Sequence, residues 1–247
     1  MQLAFIHNLG KYFVFMGSLF TNRESFKTYF KLTIDECVLI GVNSIVLVSI
    51  VATFMGAVTT LQTAYNLVSP FIPDYVISLV VRDMTVLELA PTIIAVIYAG
   101  KVGSSIAGNL GTMRITEQID ALEVMGINSS SYLVLPKVVA SILMYPLLVI
   151  IAGILSLTGG YLVGVLLNIM SPQDFIFGIR DGFNPFSIQF ALIKSVAFAF
   201  LISSISSYKG YYTQGGALEV GIASTQAVTT SVIAVLFADY LLAQLLL

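Results

Sequence analysis

Glu88, Lys101 and Lys194 are the residues of this 247-residue chain whose placement could do chemistry. Each lies within or beside a long apolar run, where an ionisable side chain is costly and normally faces protein or a water-filled space. There a carboxylate and an ammonium can pair, line a path for an ion, or hold the charged part of a cargo. The alternative is that the helix boundaries bring these charges to an interface. For Lys101, snorkelling to the near interface is the commoner explanation. Asp239, near the outer end of the last apolar run, reads as interfacial.

No catalytic constellation competes with these charges. The chain has one histidine, His7, and one cysteine, Cys37, too few to build a metal site. Cys37 opens an apolar run and reads as a small buried hydrophobe. There is no H-E-x-x-H pair, no G-x-S-x-G elbow and no G-x-x-x-x-G-K-[ST] phosphate loop, so nucleotide hydrolysis would have to come from another chain. The expectation is a non-enzymatic protein without a cofactor or metal of its own.

Composition sets the class. Apolar residues make up 57% of the chain and charged ones 10%, with mean hydropathy +0.96, against about 45–50% and about 25% in soluble domains. This is the composition of an integral membrane protein. A net charge of −2 without a basic cluster gives no surface for nucleic acid.

The stretch from Glu88 to Met125 organises the rest. Its first part is apolar. In its middle, Gly100, Ser104 and Gly108 share one helical face, and Gly103, Ala107 and Gly111 the neighbouring one. Small residues four apart let helix backbones approach closely where lipid removes the hydrophobic drive, so this helix is expected to be central. Small residues are also simply common in membrane helices.

From about 112 to 125 the pattern becomes that of a short amphipathic helix. Ile115, Ile119, Leu122 and Met125 line one face, while Arg114, Glu117, Gln118, Asp120 and Glu123 cover the rest; Gly126 and Asn128 are stop signals. It is too short and too charged to span. Resting on headgroups is one reading, but the polar face is mainly acidic, which favours docking on a protein partner.

Around this stretch the chain reads as an all-α membrane protein. Residues 1–31 mix aromatic and basic side chains without an uncharged run long enough to cross and without a signal-peptide cleavage pattern. They fit an interfacial amphipathic region, or a scaffold beside the bundle. Residues 32–247 carry five expected spans, about 37–64, 85–109, 136–167, 187–208 and 218–244. Pro146 is an expected kink and Gly160 with Gly164 a second close-packing pair. With residues 1–31 cytoplasmic, the inside holds most of the Lys and Arg, which satisfies the positive-inside rule and leaves the C-terminus outside.

The segments ELAPTIIAVIYAGKVGSSIAGNLGTMRITEQIDALEVMGI and LIKSVAFAFLISSISSYKGYYTQGGALEVGIASTQAVTTSVIAVLFADYLL resemble the MlaE family of ABC-transporter permeases, over roughly residues 33–245. The resemblance implies a homodimeric permease of the bacterial inner membrane that moves phospholipid between the inner and outer membranes. A cytoplasmic ATPase would bind ATP and dock on the segment of about 112–125, the coupling helix. A periplasmic MCE-domain ring and often a small STAS-like subunit complete such complexes.

The same resemblance places a lipid cavity between the two copies, lined at about Leu67, Val68, Phe71, Leu87 and Glu88. Two departures matter. The family often has Arg before the Glu of its ELGP motif, where this chain has Leu87, and Glu before LGTM, where this chain has Asn109. The charge pair that would steer a headgroup is thereby halved.

A nucleotide-independent secondary transporter or channel using Lys194 and Glu88 is the alternative from another class. Such folds usually show inverted repeats, and none is visible here. A membrane scaffold without transport is the third.

Overall fold

Long apolar runs broken by short polar turns dictate a helical bundle, because in lipid the backbone must satisfy its own hydrogen bonds. A computed structural model describes residues 2–21, 25–67 and 73–246, with side chains from residue 10 onward. The expected cavity positions Val68 and Phe71 lie outside the described residues. Among those described there is no strand.

The helices are α1 (Gln2–Ser18), α2 (Phe26–Asn66), α3 (75–115), α4 (Gln118–Val124), α5 (Ser129–Leu166), α6 (Pro172–Arg180), α7 (Phe186–Tyr211) and α8 (Ala217–Leu246). Helices α2, α5, α7 and α8 are long and apolar enough to cross a membrane. The run α3 holds the expected second span, and two π-helical stretches, Thr85–Ile93 and Ala99–Gly103, interrupt it. Helix α2 begins well before the expected start at 37 and passes through Lys27, Lys31, Asp35 and Glu36 without a break. Glu36 is compensated within the bundle, where it pairs with the buried Lys137 of α5.

Successive long helices reverse direction, so α1 and α4 share one end of the bundle and α6 sits at the other. Helix α1 is tied to its end: Phe15 and Leu19 are buried, Phe15 meets the rings of Tyr208, Tyr211 and Tyr212, and Tyr12 shares a hydrogen bond with Ser204 at 2.7 Å. Burial pushes the Tyr12 phenol above its ordinary range, so it stays neutral. Asn128 caps α5 by accepting from the Ser131 amide and donates to the Ser18 and Thr21 carbonyls, joining the ends of α1 and α5.

The closest packing joins α2 to α5. A Cβ on Gly56 would meet the Ser156 backbone, and one on Gly159 the Thr53 backbone. Neither position tolerates a side chain without the helices separating. Gly160 lies against Thr60, whereas Gly164 has only ordinary contacts. Helices α3 and α7 make a second close approach, where a Cβ on Gly210 would meet the Ala107 backbone.

Candidate functional site

Lys194 lies well inside α7 and has no exposed side-chain surface. A buried ammonium needs acceptors for each of its three N–H bonds. Lys194 Nζ donates to Glu88 Oε1 at 2.9 Å and to the Leu87 carbonyl at 3.0 Å, and it pairs with Asp239 Oδ1 at 2.5 Å. The Phe190 ring, one turn earlier on α7, lies 4.9 Å from the ammonium, within cation–π range.

The backbone of α3 supplies one of these partners for a clear reason. Pro91 has no N–H to return to the Leu87 carbonyl in an α-helical turn, and Lys194 takes that oxygen. The surrounding stretch Thr85–Ile93 is π-helical, a widening often found at functional sites. Tyr145 of α5 donates to the Pro91 carbonyl at 2.6 Å, tying the π-helical stretch to α5. Thr92 Oγ1 lies 3.1 Å from both Glu88 Oε2 and Asp239 Oδ1, joining the two carboxylates.

The cluster is asymmetric. The Glu88 side chain is 48% exposed and that of Asp239 18%, while Lys194 is closed off. It therefore presents a carboxylate outward from an anchored cation. A polar or zwitterionic group arriving at Glu88 would meet a charged edge in otherwise apolar surroundings, where such contacts are strong.

Sequence reasoning singled out Glu88 and Lys194 separately and read Asp239 as interfacial. The structure places Asp239 in the cluster instead. Leu87 contributes its carbonyl rather than its side chain, which is half-buried. Leu67 packs instead on a small apolar cluster that contains Ile77, Val81, Met170 and Phe175. Lys101 is outside the cluster and donates to the Asn43 carbonyl of α2.

The small-residue positions of α3 divide by face. Gly103 packs on Ser206, Gly108 on Ser224, and Gly111 on Val220 and Thr213. Gly100 faces open space, and the Ser104 hydroxyl turns back to the Gly100 carbonyl.

The expected helix of about 112–125 is not a single helix. Residues 112–115 finish α3, Glu117 adopts left-handed φ of 60°, and α4 starts at Gln118. The 3.6-residue apolar spacing survives the turn only in part: Ile119 is buried, whereas Met125 is 65% exposed.

The charged residues of this segment fall into two groups. Arg114 donates to Asp120 Oδ1 at 2.6 Å across the turn. Glu123 Oε1 accepts from Ser129 at 2.8 Å and Tyr211 at 3.1 Å, hanging α4 from α5 and α7. Glu117 and Gln118 project outward, and Gln118 donates to the neighbouring Thr116 hydroxyl. The segment is thus a braced, exposed elbow with a polar tip.

Comparisons with known proteins agree with this architecture. The family described as Permease MlaE matches residues 33–245. A probable ABC transporter permease protein of Rickettsia bellii is 38% identical over 238 residues, covering 96% of this chain and 92% of its own. One from Synechocystis is 33% identical over 87% of this chain and 81% of its own. The chloroplastic protein TRIGALACTOSYLDIACYLGLYCEROL 1 of Arabidopsis thaliana is 36% identical over 63% of this chain and 44% of its own. A bundle of apolar helices with a braced polar elbow at one end and a match running through nearly all of it together identify the chain as a member of the MlaE family of ABC transporter permeases.

Proposed function

We propose that this permease moves phospholipids between the inner and outer membranes of a bacterium, working as a homodimer in the inner membrane. Five spans per copy, α3 contributing one, leave the N-terminus cytoplasmic and the C-terminus periplasmic. A separate ATPase binds the nucleotide and engages the elbow at Glu117 and Gln118. A periplasmic MCE-domain protein and a STAS-like subunit are the further partners this reading predicts. Lipid occupies a cavity between the copies, bordered by Leu67, Val68, Phe71, Leu87 and Glu88.

The observation that carries the reading is the cluster of Lys194, Glu88 and Asp239, anchored on α7 and open at Glu88. A channel for small ions would need a polar path along its length. A single charged edge among apolar residues instead suits a cargo with one polar end and long apolar parts. Motion of the elbow would be passed along α3, since the same helix carries Glu117's neighbour Arg114 at one end and Glu88 in the other half.

The test is affinity purification of the tagged chain from its native host in mild detergent, with mass spectrometry of the intact assembly. Wild type is expected to carry an ATPase and phospholipid, and Glu117→Lys with Gln118→Lys to lose the ATPase while still inserting. Asp120 is unsuitable for this purpose, because its replacement also breaks the brace to Arg114. Unchanged ATPase recovery with the double variant would overturn the docking role. A nucleotide-free assembly lacking any ATPase would favour the secondary-transporter alternative.

A further inference from the structure

A cavity of about 450 Å³ opens between α3, α5 and α7 next to α6, apart from the charged cluster. Its size falls within the range of about 300–1,000 Å³ that ligand sites occupy. Val86 and Ala90 of α3, Val149 and Gly153 of α5 and Ile188 and Leu192 of α7 line it. The space exists because two small residues face each other: a Cβ on Gly153 would have only Ala90 near it, at 4.0 Å. Ile150, Ile154 and Ile188 at its edge are 44%, 58% and 47% exposed, so the cavity is open sideways, toward what surrounds the bundle.

Two cations stand at the α6 end of this space, and they differ in their commitments. Arg82 is buried, and its Nε and Nη1 are committed within the protein. It donates to the carbonyls of Ile179 at 2.9 Å and Asp181 at 2.6 Å, capping the end of α6, and pairs with Asp83 at 2.9 Å. Arg180, the last residue of α6, lines the same cavity and is exposed, with no ion pair among the described residues. A guanidinium at the mouth of an apolar cavity, at the end of the bundle, is placed to bind a phosphate while the cavity takes a hydrocarbon chain.

We infer that this cavity is a second lipid site, contained within one subunit, that takes an acyl chain of a glycerophospholipid and holds its phosphate on Arg180. The apolar lining excludes a peptide backbone or a sugar, whose polar groups would find no partners there. Arg180 selects a chain-bearing molecule with an anionic headgroup oxygen over an uncharged one. Its lining shares no residue with the cavity proposed between the copies, and the inference does not rest on transport.

The experiment uses the full chain, delipidated in detergent and titrated with phosphatidylglycerol carrying a photoreactive diazirine in one acyl chain, with uncharged diacylglycerol bearing the same group for comparison. Labelled peptides are then mapped. Wild type is expected to be labelled at 86–90, 149–157 and 188–192, saturably, at one lipid per subunit. Gly153→Leu fills the space and is expected to abolish this labelling, while Gly153→Ala, whose methyl group has room, retains it and reports that the fold tolerates change there. Arg180→Gln is expected to weaken phosphatidylglycerol about tenfold and to leave diacylglycerol unchanged. Labelling confined to other helices, or equal binding of the two lipids to wild type, would overturn the inference. A chain that lacks this labelling yet moves phospholipid with its ATPase would remove this site and leave the transport reading standing.

Discussion

The ammonium of Lys194 is 2.9 Å from Glu88 Oε1, yet the two side chains sit in opposite surroundings, the lysine fully enclosed and the carboxylate 48% exposed. Removing either partner is therefore not equivalent. Lys194→Ala strands Asp239, only 18% exposed, beside Glu88 and leaves a hole in α7. Loss of one member of a buried pair costs about 3–5 kcal/mol. A clear fall in the thermal midpoint of the solubilised protein is expected, and Lys194→Met with Asp239→Asn should recover much of it. Equal midpoints for wild type and Lys194→Ala would mean that the cluster does not hold the helices together.

Glu88→Gln makes the reverse case. The group is half in contact with its surroundings outside the protein, and Asp239 and the Leu87 carbonyl remain to Lys194. The expected loss of stability is smaller than that of Lys194→Ala, because no buried charge is left without a partner. Lipid movement by the assembled complex is expected to fall far more than stability does. The split between the two readouts is the check, since a purely structural role for Glu88 would move them together.

Glycines that look alike in sequence are expected to behave differently. Gly56→Ala drives a methyl group into the Ser156 backbone and is expected to cost about 1–3 kcal/mol as overpacking. Gly100→Ala meets nothing within 4 Å and is expected to be neutral or to stabilise by up to about 1 kcal/mol through helix propensity. The comparison is made by thermal unfolding of the isolated subunit. An occupied dimer surface at Gly100 would appear as a loss of dimer with the subunit's stability unchanged.

The long helices were legible because their signal is one-dimensional: long apolar runs bounded by Lys137, Asp174 or Pro185 mark spans regardless of what packs beside them. Pairing of the charges was not. Lys194 lies eight residues into α7 and Asp239 seven before the end of α8, so both lie roughly 10–12 Å from the same end of the bundle. Matching depths would have joined them, whereas reading each charge along its own helix left Asp239 at an interface. Gly56 is hidden in the sequence for a related reason. A single glycine carries no stripe, and its necessity comes from Ser156, a hundred residues away. Nor does periodicity report a left-handed residue at Glu117, because in the sequence Ile115, Ile119 and Leu122 keep helical spacing whether or not the chain turns between them.

That turn makes the last prediction. Glu117 has φ 60°, a conformation costing a residue with a Cβ about 1–2 kcal/mol, and its side chain is exposed without a capping role. Glycine removes the strain at an entropic cost of about 0.5–1 kcal/mol, so Glu117→Gly is expected to stabilise the elbow by up to about 1 kcal/mol. Glu117→Val, branched at Cβ, is expected to destabilise it. Hydrogen exchange across 116–124 reads both, with slower exchange for glycine and faster for valine. Glu117→Gln keeps the backbone and loses only the charge, so it leaves exchange unchanged while testing docking by itself. If glycine and valine exchanged alike, the elbow would owe its shape to the Arg114–Asp120 brace and the Glu123 contacts alone.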